Sequence, residues 1–383
     1  MAKRVVAMIA VCIFMIICGV PQESKAQSNA PGTNAAGAVL MEASTKKVLY
    51  EKNAHDKMPM ASTTKIMTAL VAIENGDLDS TVTVSKNASG VEGSSIWLGV
   101  GEKMTLKELL YGLMLASGND AAVAIAEHVG GSVEGFIEMM NNKAKEIGAN
   151  DTHFVTPNGL HDDNHYTTAY DLALISCVAM ENPQFQEIVN TQYKELPWEG
   201  HDYNRVVKNK NKILWQYEGG NGVKTGYTKK AGRCLSAAAK RDGMQLVAVV
   251  LNDYDMFADC MSLLDYGFDN YQNYDIIEKG QYLGKTAVKD GMIGSIDSKA
   301  PESLRLPLSE EEYAQIQTEI HVEEQVEAPV KQGDVLGSIT VRLGDEVIYQ
   351  TDVLSQVDVE KNTFAYHFDN VLRDWLKLGK KTA

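Results

Sequence analysis

Behind Ser62-Thr63-Thr64-Lys65, the apolar residues Ile66, Met67, Leu70, Val71 and Ile73 recur at helical spacing until Gly76 stops the run. Residues 106–115 read as a second helix, broken by Ser117-Gly118-Asn119 before a third from about Asp120 to Val129. Strand patterns frame these helices. Gly37-Ala38-Val39-Leu40-Met41 and Val48-Leu49-Tyr50 flank the polar Ser44-Thr45-Lys46-Lys47 as a hairpin with a solvated turn. Residues 234–239 and 244–251 make a second hairpin around Arg241-Asp242-Gly243, its second arm the β-rich Gln245-Leu246-Val247-Ala248-Val249-Val250. A helix-like stretch over residues 255–271 closes this part of the chain. Beyond it the pattern becomes short strands punctuated by Gly280, Gly284, Pro301, Pro307, Gly333 and Gly337, with a hairpin of 338–343 and 346–351 around Gly344-Asp345.

The two ends differ from this body. Lys3 and Arg4 precede an apolar run over residues 5–20 and the small-x-small string Ser24-Lys25-Ala26, the layout of a secretory signal, with an uncleaved anchor as the rival reading. At the other end Phe368, Val371, Leu372, Trp375, Leu376 and Leu378 recur near helical spacing beside Arg373, Lys377, Lys380 and Lys381. Such a helix is too short to span a bilayer. It can lie in the membrane interface, or pack on the preceding domain. The expected division is therefore a signal peptide at 1–26, a first domain at 27–271, a β-rich domain at 272–362 and an amphipathic tail at 363–383.

A chain of 383 residues with 44% hydrophobic and 23% charged content is globular and long enough for two domains. Its formal charge of −15 becomes −17 once residues 1–26, which carry a net +2, are removed, so nucleic acid is excluded as a partner. Cys177, Cys234 and Cys260 are odd in number and lack metal-like spacing, so buried thiols are expected. His161-Asp162-Asp163-Asn164-His165 sits in a polar loop without the His-Glu-x-x-His frame, and Phe136-Ile137-Glu138-Met139-Met140 reads as core. No metal or cofactor is expected.

Two strings place a serine three residues before a lysine. Ser44 to Lys47 falls in the first hairpin turn, whereas Ser62 to Lys65 falls at a helix start, where both side chains share one face. A serine hydroxyl becomes a nucleophile only when a neighbouring base takes its proton. A lysine serves as that base when burial and nearby positive charge depress its pKa, and free N–H groups at a helix start favour an oxyanion. Ser117-x-Asn119 lies on a connection between two helices, able to point a hydroxyl and a carboxamide into a cleft. Lys224-Thr225-Gly226 precedes the second hairpin; there Lys224 and Thr225, exposed on a sheet edge, can hold a substrate carboxylate, and Gly226 admits the substrate backbone.

The ordered triple resembles the penicillin-recognising serine enzymes, whose three signatures have this form. Within them the chain is similar, over about residues 36–271, to the low-molecular-mass penicillin-binding proteins, the serine D-alanyl-D-alanine carboxypeptidases. Further phrases carry the likeness: Ser117-Gly118-Asn119-Asp120-Ala121-Ala122, Thr156-Pro157-Asn158-Gly159-Leu160, Asn209-Lys210-Asn211-Lys212-Ile213-Leu214 and Gly222-Val223-Lys224-Thr225-Gly226. The resemblance implies an α+β catalytic domain, an α/β sandwich of the serine β-lactamase and penicillin-binding type, followed by a small all-β domain. It implies that Ser62 is acylated by the penultimate D-alanine of a peptidoglycan stem peptide and by β-lactams, that Lys65 accepts the hydroxyl proton, and that Ser117 relays a proton to the leaving amine. It implies that Asn119 holds the substrate amide, Lys224 supplies positive potential and Thr225 contacts the terminal carboxylate. It implies, too, that the backbone N–H groups of Ser62 and Tyr227 form the oxyanion hole. Tyr227 departs from the histidine or threonine that relatives often carry after Lys-Thr-Gly.

Several readings share this site. No E-x-x-L-N segment of the class A β-lactamase kind is found, which favours peptide hydrolysis, while D,D-endopeptidase cleavage and β-lactam hydrolysis remain alternatives. A non-catalytic wall-docking role fits poorly with three intact signatures. Arg233 is open to two roles, attraction of an anionic substrate or a structural ion pair.

Overall fold

The structure, a computed structural model, describes residues 30–364 together with His367, Phe368, Val371 and Leu372. The segment read as a secretory signal, and Arg373, Trp375, Leu376, Lys377, Leu378, Lys380 and Lys381 of the tail, lie outside the described residues.

A five-stranded antiparallel sheet organises the first domain. Its strands are β1 (Gly37–Glu42), β2 (Val48–Lys52), β3 (Gly220–Thr228), β4 (Gly232–Arg241) and β5 (Met244–Leu251), in the order β2-β1-β5-β4-β3. The continuous apolar run of β5 suits its central place, because both its faces are covered. Asp242 and Gly243 make the tight turn between β4 and β5, with φ of +47° and +80°, so both adopt the left-handed conformation a two-residue hairpin turn demands. β1 lies against β5 with Gly37 opposite Leu251, which brings the first strand beside the last.

The pleat divides the sheet residues between two cores. Val39, Met41, Val247, Val249 and Leu251 pack under a helical layer, whereas Ala38, Leu40, Leu246, Ala248 and Val250 pack on Cys260, Leu263 and Leu264. The helical layer comprises α1 (Lys65–Asn75), α2 (Leu106–Leu115), α3 (Asn119–Gly130), α4 (Val133–Ile147), α5 (Ala169–Glu181) and α6 (Pro183–Asn190). The other face carries α7 (Met256–Asn270). α1 is buried continuously from Lys65 to Ile73. It is a core helix, apolar nearly all round, so any polar group it carries stands in a low-dielectric interior.

After α7 the chain forms three small sheets built from strands between Gln272 and Leu354. One short helix, Glu310–Tyr313, interrupts them, started by a capping box of Ser309 and Glu312. Two small apolar clusters hold this region. Its contact with the first domain corrects the reading of Lys47 as a solvated turn residue, and an ion pair within the first domain corrects that of Lys46. Lys47 Nζ donates to Glu312 at 2.8 Å and to the Pro307 carbonyl at 3.0 Å, while Lys46 pairs with Glu181. In the same turn the Ser44 hydroxyl is held by the buried Glu42 carboxylate at 2.9 Å. Cys177, Cys234 and Cys260 are free and buried.

Candidate active site

Ser62 stands on a single 3₁₀ turn, Ala61–Thr64, that runs directly into α1. The turn is tied back on itself: Thr63 Oγ1 donates to the Met60 carbonyl at 2.6 Å and Thr64 Oγ1 to the Ala61 carbonyl at 2.8 Å. Ala61 enters it with φ of +49°, and Ser117 has φ of +65°. For residues carrying a Cβ this conformation costs roughly 1–2 kcal/mol each, and such strain gathers where a site requires it. As in any first helical turn, the Ser62 N–H has no acceptor within its own helix.

Lys65 is fully buried, and its ammonium group has three oxygen neighbours. Nζ lies 3.0 Å from Ser62 Oγ, 2.7 Å from Asn119 Oδ1 and 2.5 Å from the Asn158 carbonyl oxygen. The Asn119 carboxamide is oriented by the Glu92 carbonyl, which accepts from Nδ2 at 2.5 Å and so leaves Oδ1 facing the lysine. Burial holds the Lys65 pKa well below the ordinary lysine value, assisted by the positive charges of Lys224 and Lys210 and opposed by Asp120. A neutral amine has two N–H bonds and one lone pair. Two of its three neighbours are carbonyl oxygens that can only accept, so they take the two hydrogens and the lone pair is left for the Ser62 hydroxyl. The surroundings therefore aim the amine lone pair at the Ser62 hydroxyl.

Lys224 lies on β3, the edge strand nearest the 3₁₀ turn, but it is only 2% exposed. The expected solvent-facing lysine is thus a buried one, whose pKa burial and Lys210 push down to about 7. Nζ donates to the Thr225 carbonyl at 3.0 Å. Gly226 also differs from expectation. A Cβ there would stand 3.0 Å from both the Met60 carbonyl oxygen and the Ser62 nitrogen, so this glycine admits the protein's own Ser62 turn. Thr225 is half-buried and Tyr227 lies exposed at the rim, opposite Arg233 in the β3–β4 ladder. Arg233 Nη1 donates to the Tyr254 carbonyl at 3.0 Å and its guanidinium covers the Tyr254 ring, so it has a structural partner that is not a carboxylate. Direct contacts thus join Ser62, Lys65 and Asn119. Gly226 packs on that turn, and Ser117 is buried two residues before Asn119.

Three contributors had no assigned role in the sequence. Asn158 acts through its backbone carbonyl, and its neighbour Gly159, at φ of +85°, has no room for a Cβ, which would fall 2.0 Å from the Ala61 carbonyl oxygen. Lys210, in the Asn209-Lys210-Asn211 phrase, donates to Ser94 Oγ at 3.3 Å, and the Ser94 carbonyl accepts from the Asn119 N–H at 2.7 Å. His165 is buried: its Nδ1 accepts from the Val155 N–H at 2.9 Å, so Nε2 carries the hydrogen and donates to Thr64 Oγ1 at 2.8 Å. Burial pushes its pKa down to about 4, keeping it neutral. His161 instead faces Asp163, and among the described residues no group of three histidine, cysteine or acidic side chains is arranged to hold a metal.

Residues 24–255 match the family model described as D-alanyl-D-alanine carboxypeptidase, and residues 271–361 match the C-terminal domain of penicillin-binding protein 5. The chain is 35% identical over 352 residues to the D-alanyl-D-alanine carboxypeptidase DacF of Bacillus subtilis, covering 90% of each. Among solved structures, penicillin-binding protein 5 of Haemophilus influenzae superposes with a TM-score of 0.74 at 26% identity, over 88% of this chain and all of the other. A DD-transpeptidase of Streptomyces K15, solved as a point mutant, matches 62% of this chain and 99% of its own at 36% identity and a TM-score of 0.60.

Proposed function

The chain belongs to the D-alanyl-D-alanine carboxypeptidase family of low-molecular-mass penicillin-binding proteins, and from that premise we propose that Ser62, Lys65, Ser117, Asn119 and Lys224 carry its reaction, with Thr225, Gly226 and Tyr227 binding substrate. The protein is a serine hydrolase that removes the terminal D-alanine of peptidoglycan stem peptides through an acyl-enzyme, and β-lactams acylate the same serine. Because its substrate is peptidoglycan, it works outside the cytoplasm.

The observation that carries the assignment is the buried Lys65 amine, 3.0 Å from Ser62 Oγ, with both its hydrogens claimed by carbonyl oxygens. Neutral Lys65 takes the hydroxyl proton as Ser62 Oγ bonds to the carbonyl carbon of the penultimate D-alanine. The carbonyl electron pair moves onto oxygen, where the Ser62 and Tyr227 N–H groups receive it. Collapse breaks the peptide bond, and the proton passes through Ser117 to the departing amine of D-alanine. Water then repeats the sequence on the ester, returning the proton to Ser62. Asn119 keeps Lys65 aimed and offers its amide edge to the substrate. Lys224 and Thr225 face the terminal carboxylate, whose presence in the cleft favours the charged form of Lys224.

Residues 1–26 act in this reading as an export signal. The tail lies in the membrane interface: Phe368, Val371 and Leu372 are exposed apolar residues on its helical turns, and no helix among the described residues is long and apolar enough to cross a bilayer. Mapping the adduct after reaction with benzylpenicillin tests the site assignment. The penicilloyl mass belongs on the peptide containing Ser62 and is absent from Ser62→Ala; an adduct elsewhere overturns it.

A further inference from the structure

The cleft continues outward along a surface that the reaction touches only through Lys210. The strand Arg205–Lys208 and the residues after it alternate strictly, with Lys208, Lys210 and Lys212 facing out while Asn209 and Asn211 are buried. The buried asparagines fix that alternation. Asn209 Nδ2 donates to the Val189 and Thr191 carbonyls at 3.0 and 3.1 Å, and its Oδ1 accepts from the Asn211 N–H at 3.0 Å; Asn211 Oδ1 then accepts from the Ile213 N–H at 3.1 Å. Alternate residues of an extended segment stand roughly 7 Å apart, so Lys208 and Lys210 leave the strand as neighbours; Lys212 follows at the start of the next short helix, its Nζ 5.4 Å from the Phe257 ring centre. None of the three lysines makes an ion pair among the described residues, on a protein whose formal charge is −15.

Aromatic side chains flank these lysines. Lys208 Nζ sits 5.2 Å from the ring centres of both Tyr193 and Trp215. Lys208 and Lys210 line two cavities at once: one of about 510 Å³ bounded by Trp97, Trp198 and Tyr203, and one of about 530 Å³ bounded by Lys212 and Trp215. Trp97 is 75% exposed with φ of +62°, and its loop is pinned because the Ile96 and Leu98 N–H groups both donate to the Asp120 carboxylate at 3.1 Å. An exposed indole held rigidly in a strained turn is a presented surface, since neither burial nor backbone preference accounts for it. Lys210 joins the lysines to the cleft through Ser94, whose carbonyl holds Asn119.

We propose that this lysine and aromatic face docks the polymer that carries the substrate, seating the acidic stem peptides and pyranose rings of intact peptidoglycan beside the one stem in the cleft. The inference rests on the carboxypeptidase reading for its substrate class. Stem peptides carry free carboxylates that match unpaired lysines, and pyranose rings present an apolar C–H face that stacks on indole and phenol. Continuity with the cleft is what a polymeric substrate requires, because the remainder of the chain must leave the site across some surface.

The test compares the full chain with Lys208→Glu/Lys212→Glu and with Trp215→Ala, measuring D-alanine release from insoluble pentapeptide-containing peptidoglycan and from a soluble diacyl-Lys-D-Ala-D-Ala peptide. The double charge reversal is expected to lower the rate on the polymer about tenfold while the soluble peptide is turned over as before, and Trp215→Ala to lower the polymer rate in the same selective way. Pelleting of Ser62→Ala with peptidoglycan, with and without the charge reversals, reads docking without turnover. Equal rates and equal pelleting overturn the proposal. So does loss of binding to anionic phospholipid vesicles with the polymer rate intact, which makes the face a membrane contact. If the wild type releases D-alanine from neither substrate, the reading of the reaction fails, and pelleting still decides whether the face docks peptidoglycan.

Discussion

A Cβ placed on Gly226 would stand 3.0 Å from the backbone nitrogen of Ser62. Strand β3 and the nucleophile turn therefore touch through a gap only glycine leaves, and this contact sets the distance between the two N–H groups assigned to the oxyanion. Because the opposing atoms are backbone, Gly226→Ala pushes the strand and the turn apart by a few tenths of an ångström. A misplacement of about 1 Å costs roughly 10²-fold, so a shift of a few tenths lowers the rate by about tenfold at most. The second-order acylation rate with a fluorescent penicillin is expected to fall by roughly that amount while Tm changes little. A variant acylated at the wild-type rate removes the oxyanion role from this contact.

Lys65, Lys210 and Lys224 form one cationic group in which Lys210 depresses both of the others and Lys224 depresses Lys65. Lys65 must be neutral to accept a proton, so activity rises as pH climbs through its lowered pKa. Lys224 acts while charged, so activity declines as pH passes about 7 in the free enzyme. Lys210 lowers both values, and removing its positive charge favours the protonated form of each remaining lysine. Lys210→Gln is accordingly expected to move both limbs of the kcat/KM profile to higher pH, by roughly half a unit. An unmoved or acid-shifted profile contradicts the coupling.

His165 ties the loop after α4 to the nucleophile turn through Thr64, and it does so neutral. Its folded pKa of about 4 lies below the unfolded value of 6.5. The unfolded chain thus binds the proton first as pH falls, and stability is lost between about 6.5 and 4. At pH 4.5 the loss amounts to roughly 2–3 kcal/mol relative to pH 7. Urea denaturation at the two pH values, compared with His165→Gln, reads this out: the wild type is expected to lose more stability on acidification than the variant. Parallel losses rule out the histidine as the source.

Much of this was legible in the sequence where local pattern and tertiary role coincide. The periodicity behind Lys65, the helix at residues 106–115 and the Asp242-Gly243 turn all mark elements that form where their own spacing puts them. The contacts that complete the site were less legible for identifiable reasons. Asn158 contributes a carbonyl that every residue possesses, so no side-chain signature marks it. The burial of Lys224 depends on helices far away in the chain covering an edge strand, and the need for glycine at 226 arises from a turn more than 160 positions earlier. His165 drew notice as a metal candidate because its sequence neighbours are polar, yet its own ring points inward to Thr64. Ser44 and Ser62 were separable only by context, and the structure gives that context a contact: Glu42 occupies one hydroxyl and Lys65 faces the other.

The most direct test of the account is D-alanine release from a diacyl-Lys-D-Ala-D-Ala peptide by the wild type, Ser62→Ala and Ser44→Ala. Release is expected from the wild type and from Ser44→Ala at comparable rates, with none above background from Ser62→Ala. Release by Ser62→Ala, or its loss in Ser44→Ala with the fold intact, would contradict the claim that the buried Lys65 amine activates Ser62.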